Sequence, residues 1–118
     1  MFVDSALQPD LDSSLCAAAA AAARGAPFTE VISPRRSSRP VARARQFAVY
    51  LRHVALGATL SACARAFARD RATMRHACAR IEDRRDDPRF DACVRHLEAA
   101  LAAQRETIRT LVGEERAQ

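Results

Sequence analysis

Residues 68–87 read ARDRATMRHACARIEDRRDD, and the polar groups at the front of that run are where chemistry could happen. Arg71, Thr73, Arg75 and His76 crowd the start of a segment whose Met74, Ala77, Cys78 and Ile81 recur at the core spacing of a helix. A helix start leaves backbone N–H groups without partners and attracts anions. Guanidinium forks, a hydroxyl and an imidazole around such an end form hydrogen bonds to phosphates and base edges. Arg71 can present a fork to guanine O6 and N7, Thr73 can set its methyl against thymine, and Asp70 can accept from a cytosine or adenine amino group. Each base contact of this kind is worth ~1–3 kcal/mol of discrimination. Plainer uses stand beside these: Asp70 as an N-cap, Thr73 as a first-turn residue, His76 as a solvated edge histidine. Bond-breaking chemistry finds no support. Three histidines and scattered acids form no H-E-x-x-H, nucleophile elbow or ligand cluster, and there is no Walker-type glycine loop, so no catalytic residue, metal or cofactor is expected.

Charge distribution points the same way. The 118 residues carry 19 basic groups, all Arg, and a formal net charge of +5. Residues 24–80 hold twelve Arg against Glu30 and Asp70, whereas residues 81–118 and 1–23 are both net acidic. A basic middle between acidic flanks favours a polyanion as partner. Heavy Arg and Ala usage fits a GC-rich genome, so the choice of Arg over Lys is not read as recognition chemistry. No stretch is long and apolar enough to span a membrane or basic enough with an aromatic face to lie on one. The run LCAAAAAAARG has a signal-like apolar core, but Asp4, Asp10 and Asp12 precede it where a basic region would stand. Cys16, Cys63, Cys78 and Cys93 have no close pairing and sit among small apolar residues, as reduced core fillers of a cytosolic protein. The expected location is cytoplasmic, with the nucleoid, and no small-molecule substrate is expected.

These groups need positioning elements. Residues 1–10 read as a loose tail. LDSSLCAAAAAAARG reads as a helix capped by Asp12 or Ser13 and closed by Gly25. PFTEVIS reads as a short turn with Phe28, Val31 and Ile32 inward, and SPRRSSRP, residues 33–40, as a basic loop. Pro40 opens a helix with Ala44, Phe47, Ala48, Leu51, Val54 and Ala55 inward, and Arg43, Arg45, Gln46 and Arg52 on the opposite face. TLSACARAFARD is a short helix capped by Thr59, with Leu60, Cys63, Ala64 and Phe67 inward. A tight connection at residues 68–70 leads into the opening segment. Two short helices so joined, the second basic at its start, have the form of a helix-turn-helix.

Residues 88–112 behave differently. Val94, Leu101 and Ile108 repeat every seven residues, interleaved with Phe90, Leu97, Gln104 and Leu111. This pattern suits a parallel two-stranded coiled coil and hence a homodimer, with Gln104 fixing register. Cys93 and Ala100 widen the stripe, which suits packing onto the same chain equally well. The DRRDD run before it reads as a solvated, self-paired linker, and residues 113–118 as a tail.

Two blocks resemble a known family, the C-terminal DNA-binding domain of the bacterial replication initiator DnaA. RRSSRPVARARQFAVYL, residues 35–51, resembles that family's basic loop followed by R-x-R-Q-x-A-x-x-L. RAFARDRATMRHACARIE, residues 65–82, resembles its signature A-F-G-x-R-D-H-S/T-T-V-x-H-A with a C-x-x-I-E ending. The likeness covers roughly residues 11–83. It implies that Asp70 and Thr73 reach base edges in the major groove. Arg71 stands at the family's His of R-D-H, Ala72 at its Ser or Thr, and His76 at the signature His. It implies that Arg43, Arg45 and Gln46 grip phosphates, and that Arg35, Arg36 or Arg39 enters the minor groove. Arg69, Arg75 and Arg80 complete the expected DNA-binding set.

Departures are also visible. The turn is one residue shorter, Ala68 and Ala64 replace family glycines, and Arg71 and Ala72 alter two reading positions, which implies a DNA preference of its own. The expectation is an all-α, compact helix-turn-helix domain over residues 11–87, followed by a long amphipathic helix. Its function would be sequence-specific binding of double-stranded DNA in transcriptional regulation, without ATPase activity. The alternatives are a helical protein-interaction module and a modulator of replication initiation that competes for the initiator's sites.

Overall fold

The computed structural model describes residues 10–117, so the tail expected at residues 1–10 lies outside the described residues apart from Asp10. Helices α1 (Leu11–Arg24), α2 (Phe28–Val31), α3 (Arg39–Tyr50), α4 (Leu60–Phe67), α5 (Arg71–Arg84) and α6 (Pro88–Ala117) account for most of it, with no strand among the described residues. A π-helical turn, Leu51–Ala55, continues α3. The fold is all-α, as expected.

The N-cap of α1 lies two to three residues earlier than its sequence signals suggest. Asp10 is its N-cap, accepting from the Ser13 backbone N–H at 2.8 Å, and Gly25 closes it in the left-handed conformation. Asp12 and Ser13, expected as caps, lie inside the helix and are buried. Alanine is the reason α1 can sit deep: Ala17, Ala20 and Ala21, with Cys16, let its backbone approach α3 at Ala44 and Ala48. In α2, Val31 is buried and Ile32 partly so, but Phe28 is largely outside, because a helix of four residues turns only one position fully inward.

The π-helical turn corrects the register expected after α3. The Leu56 N–H donates to the Leu51 carbonyl five residues back, at 3.1 Å. One extra residue in the turn rotates everything that follows. Leu51 and Leu56 therefore point into the core, while Val54, expected inward, is 45% exposed. Arg52, expected outside, is half-buried and reaches toward α1.

Helix α6 lies against α1 and the π-helical turn. Val94 and Leu101 are buried in the common core, Phe90 and Leu97 pack on its edge, and Phe90 meets Phe47 of α3 at 6.0 Å between ring centres. The seam thus takes one of the two uses open to it, packing onto the same chain, and one expectation, for Cys93, is corrected. Most of the seven-residue seam is spent inside the chain, leaving Gln104 and Leu111 exposed, and Cys93 faces solvent instead of filling a core. The helix also continues through the residues expected as a tail. Thirty residues at ~1.5 Å rise reach about 45 Å, which accounts for the 47 Å long axis of the molecule.

The DRRDD run is likewise part of the fold. Arg85 donates from Nε to Asp91 at 2.6 Å and from Nη1 to the Tyr50 hydroxyl at 3.0 Å and to Glu98 at 3.3 Å. The Tyr50 hydroxyl in turn donates to Glu82 at 2.6 Å. Burial, with that carboxylate beside it, pushes the phenol up to about 12, so it stays protonated and available to donate. Asp87 accepts from the Arg89 backbone N–H at the start of α6. A run that reads as linker is thus the joint between α5, α3 and α6.

Candidate nucleic-acid interface

Helices α4 and α5 are joined by residues 68–70, and both begin on local caps. Thr59 accepts from the Ala62 N–H at 3.0 Å, and Asp70 accepts from the Thr73 N–H at 2.7 Å. Hydrogen bonds from the Thr73 backbone and side chain hold the Asp70 carboxyl below the usual carboxylate range. The two helices meet through Cys63 and Phe67 on one side and Met74, Ala77 and Ile81 on the other. Burying that face leaves Arg71, Ala72, Thr73, Arg75, His76, Ala79 and Arg80 exposed on the rest of α5. The amino end of α5 is therefore open. None of Arg71, Arg75, His76 and Arg80 is paired with a carboxylate among the described residues.

Arg45 is the main correction to the candidate set. Although expected on the outer face of α3, it is 6% exposed and turned into the fold. Its Nε donates to the Val31 carbonyl, its Nη2 to the Glu30 carbonyl and its Nη1 to the Ser37 hydroxyl, each at 2.9 Å. Burial, and the nearby charge of Arg69, push it down to about 10, so it is still cationic at neutral pH. The physical demand comes from α2: a helix end leaves carbonyls unpaired, and a buried end needs a donor. Arg45 supplies three in one plane and is not available to grip a phosphate.

Arg69 has the same kind of work. Its Nη1 donates to the carbonyls of Ser33 at 3.0 Å and Phe67 at 2.9 Å, and its Nη2 to the carbonyl of Arg35 at 3.0 Å. It ties the end of α4 to the basic loop. Between them, Arg45 and Arg69 hold residues 33–37 beside the helix-turn-helix, while the side chains of Arg35, Arg36 and Arg39 remain exposed. The Ser33 hydroxyl accepts from the Arg35 N–H at 3.1 Å and tightens the turn. The sequence places all five of these arginines in one DNA-binding set. The structure divides them into two that shape the loop and three that face out from it.

Arg43 is exposed and Gln46 half-exposed on α3. Arg65, on the outer face of α4, is an exposed cation that the sequence reading passed over; its signal is its place between the buried Cys63 and Phe67. The buried Cys16 and Cys63 and the half-buried Cys78 take no part. Desolvation raises Cys16 to about 12 and Cys78 to about 11 and also raises Cys63, keeping them protonated and unreactive. Among the described residues, no helix is long and apolar enough to cross a membrane, and no three His, Cys, Asp or Glu side chains cluster as metal ligands would.

A short capped helix, a tight turn and a second helix with an open, cationic amino end define a helix-turn-helix protein of the DNA-binding class. The chain belongs to the DnaA C-terminal family: the family model described as the bacterial dnaA protein helix-turn-helix matches residues 18–81, over half of its length. DNA binding is the property that this domain implies. No curated protein and no solved structure matches the chain. The matched stretch ends at Ile81, so Arg84, Arg85 and all of α6 lie beyond it.

Proposed function

We propose that the protein is a sequence-specific double-stranded DNA-binding regulator of transcription. The amino end of α5 enters the major groove, and the 33–40 loop lies along the backbone or in the adjacent minor groove. One observation carries this reading. The amino end of α5, capped by Asp70, faces solvent with exposed Arg71, Thr73, Arg75 and His76 around it, and a clamped basic loop stands beside it. Arg71 and Thr73 read base edges, Asp70 combines capping with acceptance from an amino group, and Arg35, Arg36 and Arg39 supply phosphate or minor-groove contacts. Arg45 and Arg69 are positioning residues, acting through the loop they hold. In this reading the domain acts by occupying its site.

Selection from randomised duplexes, followed by titration in increasing salt, tests this. A recovered consensus, and an affinity that falls with a log–log slope of about −0.9 per phosphate neutralised, is the expected result. In the same assay, Arg71→Ala relaxes sequence preference, while Arg36→Ala weakens binding to all duplexes evenly. A flat salt response with no enriched sequence would replace this reading with that of a protein-interaction module.

A further inference from the structure

Away from the loop, α1, α3 and α5 leave a cleft of 330 Å³ between them, lined by Arg24, Arg43, Gln46, Arg80, Ile81 and Arg84. We propose that this cleft is a phosphate-binding site. Its volume lies at the lower end of the ~300–1,000 Å³ range of ligand pockets. Four of its six lining residues are arginines, and none of the six is acidic. Among the described residues, none of the four arginines makes an ion pair, although seven such pairs form elsewhere in the fold. Like charges gathered round one space repel one another, and an anion seated among them relieves that repulsion.

The rim is also built. The Arg24 guanidinium carbon stands 5.8 Å from the centre of the Phe47 ring and that of Arg84 4.1 Å from the centre of the Phe90 ring, and those two rings lie side by side. A guanidinium held over a ring face keeps N–H groups free to bind a phosphate oxygen. Gln46 adds a neutral amide donor. Arg84, at the end of α5, and Phe90, in α6, fall outside the matched residues, so half of this rim depends on the helix that follows the matched stretch.

Two sources bring the same chemistry: a backbone phosphate of a bound duplex, or a free phosphorylated solute. Only the first rests on the DNA-binding reading. The test follows the arginine Nε–H resonances of the full chain as inorganic phosphate, then pyrophosphate, is added at constant ionic strength against chloride. Duplex affinity is measured over a salt series in parallel. The variants are Arg24→Gln with Arg84→Gln, and separately Arg80→Gln, an exposed residue whose loss leaves the fold intact.

Saturable shifts at Arg24, Arg43, Arg80 and Arg84 but not at Arg71, weakened about tenfold in the double variant, establish a solute site. No response to free phosphate, with a three- to tenfold loss of duplex affinity and a salt slope shallower by about one in both variants, establishes a backbone site. Small linear shifts shared by all surface arginines, with duplex binding unchanged in the variants, overturn the proposal. Saturable phosphate binding by a chain that binds no duplex would sink the DNA reading and leave this site standing.

Discussion

Ala68 ends α4 at φ 53° and ψ 46° in the left-handed conformation, the one residue other than glycine with a positive φ among those described. The conformation lets its N–H reach back to the Arg65 carbonyl and that of Arg69 to the Ala64 carbonyl, closing the helix before the turn. A Cβ there costs about 1–2 kcal/mol. Ala68→Gly removes the strain but returns some chain entropy to the unfolded state. The net gain should be about 0.5–1 kcal/mol, a rise of roughly 2–4 °C in Tm by calorimetry. Because Ala68 carries no group that meets DNA, duplex affinity should hold. A Tm that falls would mean that the methyl is packed and useful.

At the scale of elements, α4 and α5 were legible from sequence because their limits are set locally. Thr59 and Asp70 each cap within three residues, and Cys63, Phe67, Met74, Ala77 and Ile81 keep helical spacing. The misplaced residues answer to partners distant in sequence. Arg45 turns inward because the end of α2, fourteen and fifteen residues earlier, presents the carbonyls of Val31 and Glu30 to it. Periodicity cannot report that. Val54 and Arg52 were misplaced by a single π-helical turn, which no Pro or Gly in LRHVA announces. Asp12 reads as a cap by residue type, yet it is the buried acid that joins three elements. Its Oδ2 lies 3.8 Å from Arg52 at the π-helical turn, and 3.6 Å and 3.4 Å from Arg105 and Arg109 of α6. Exposed pairs contribute ~0–1 kcal/mol and breaking buried ones costs ~3–5. For this half-screened group, Asp12→Asn should cost about 2 kcal/mol, seen in urea as a lower midpoint at unchanged m. An unchanged midpoint would show that the pairs only offset the desolvation of Asp12.

For the whole molecule, the question is what a thirty-residue helix does beyond a DNA-binding domain. Val94 and Leu101 are buried at 0% and 2% exposure, Arg85 and Asp12 tie the same helix at two points, and only its last turns, with Leu111 56% exposed, run past the core. Helix α6 is therefore a strut of its own domain along most of its length, and its seven-residue seam is left open only toward its free end. Two substitutions separate these roles. Leu101→Asp places a charge in the common core and should cost about 3–4 kcal/mol, with cooperative unfolding at a much lower temperature. Leu111→Asp should leave Tm within the ~0.5 kcal/mol range of surface changes. Light scattering should give the mass of a single chain for both wild type and Leu111→Asp. A two-chain mass that collapses in Leu111→Asp would assign the free end to a dimer. A Leu101→Asp protein as stable as wild type would mean that α6 does not brace the domain at all, and the rim at Arg84 and Phe90 would lose its support with it.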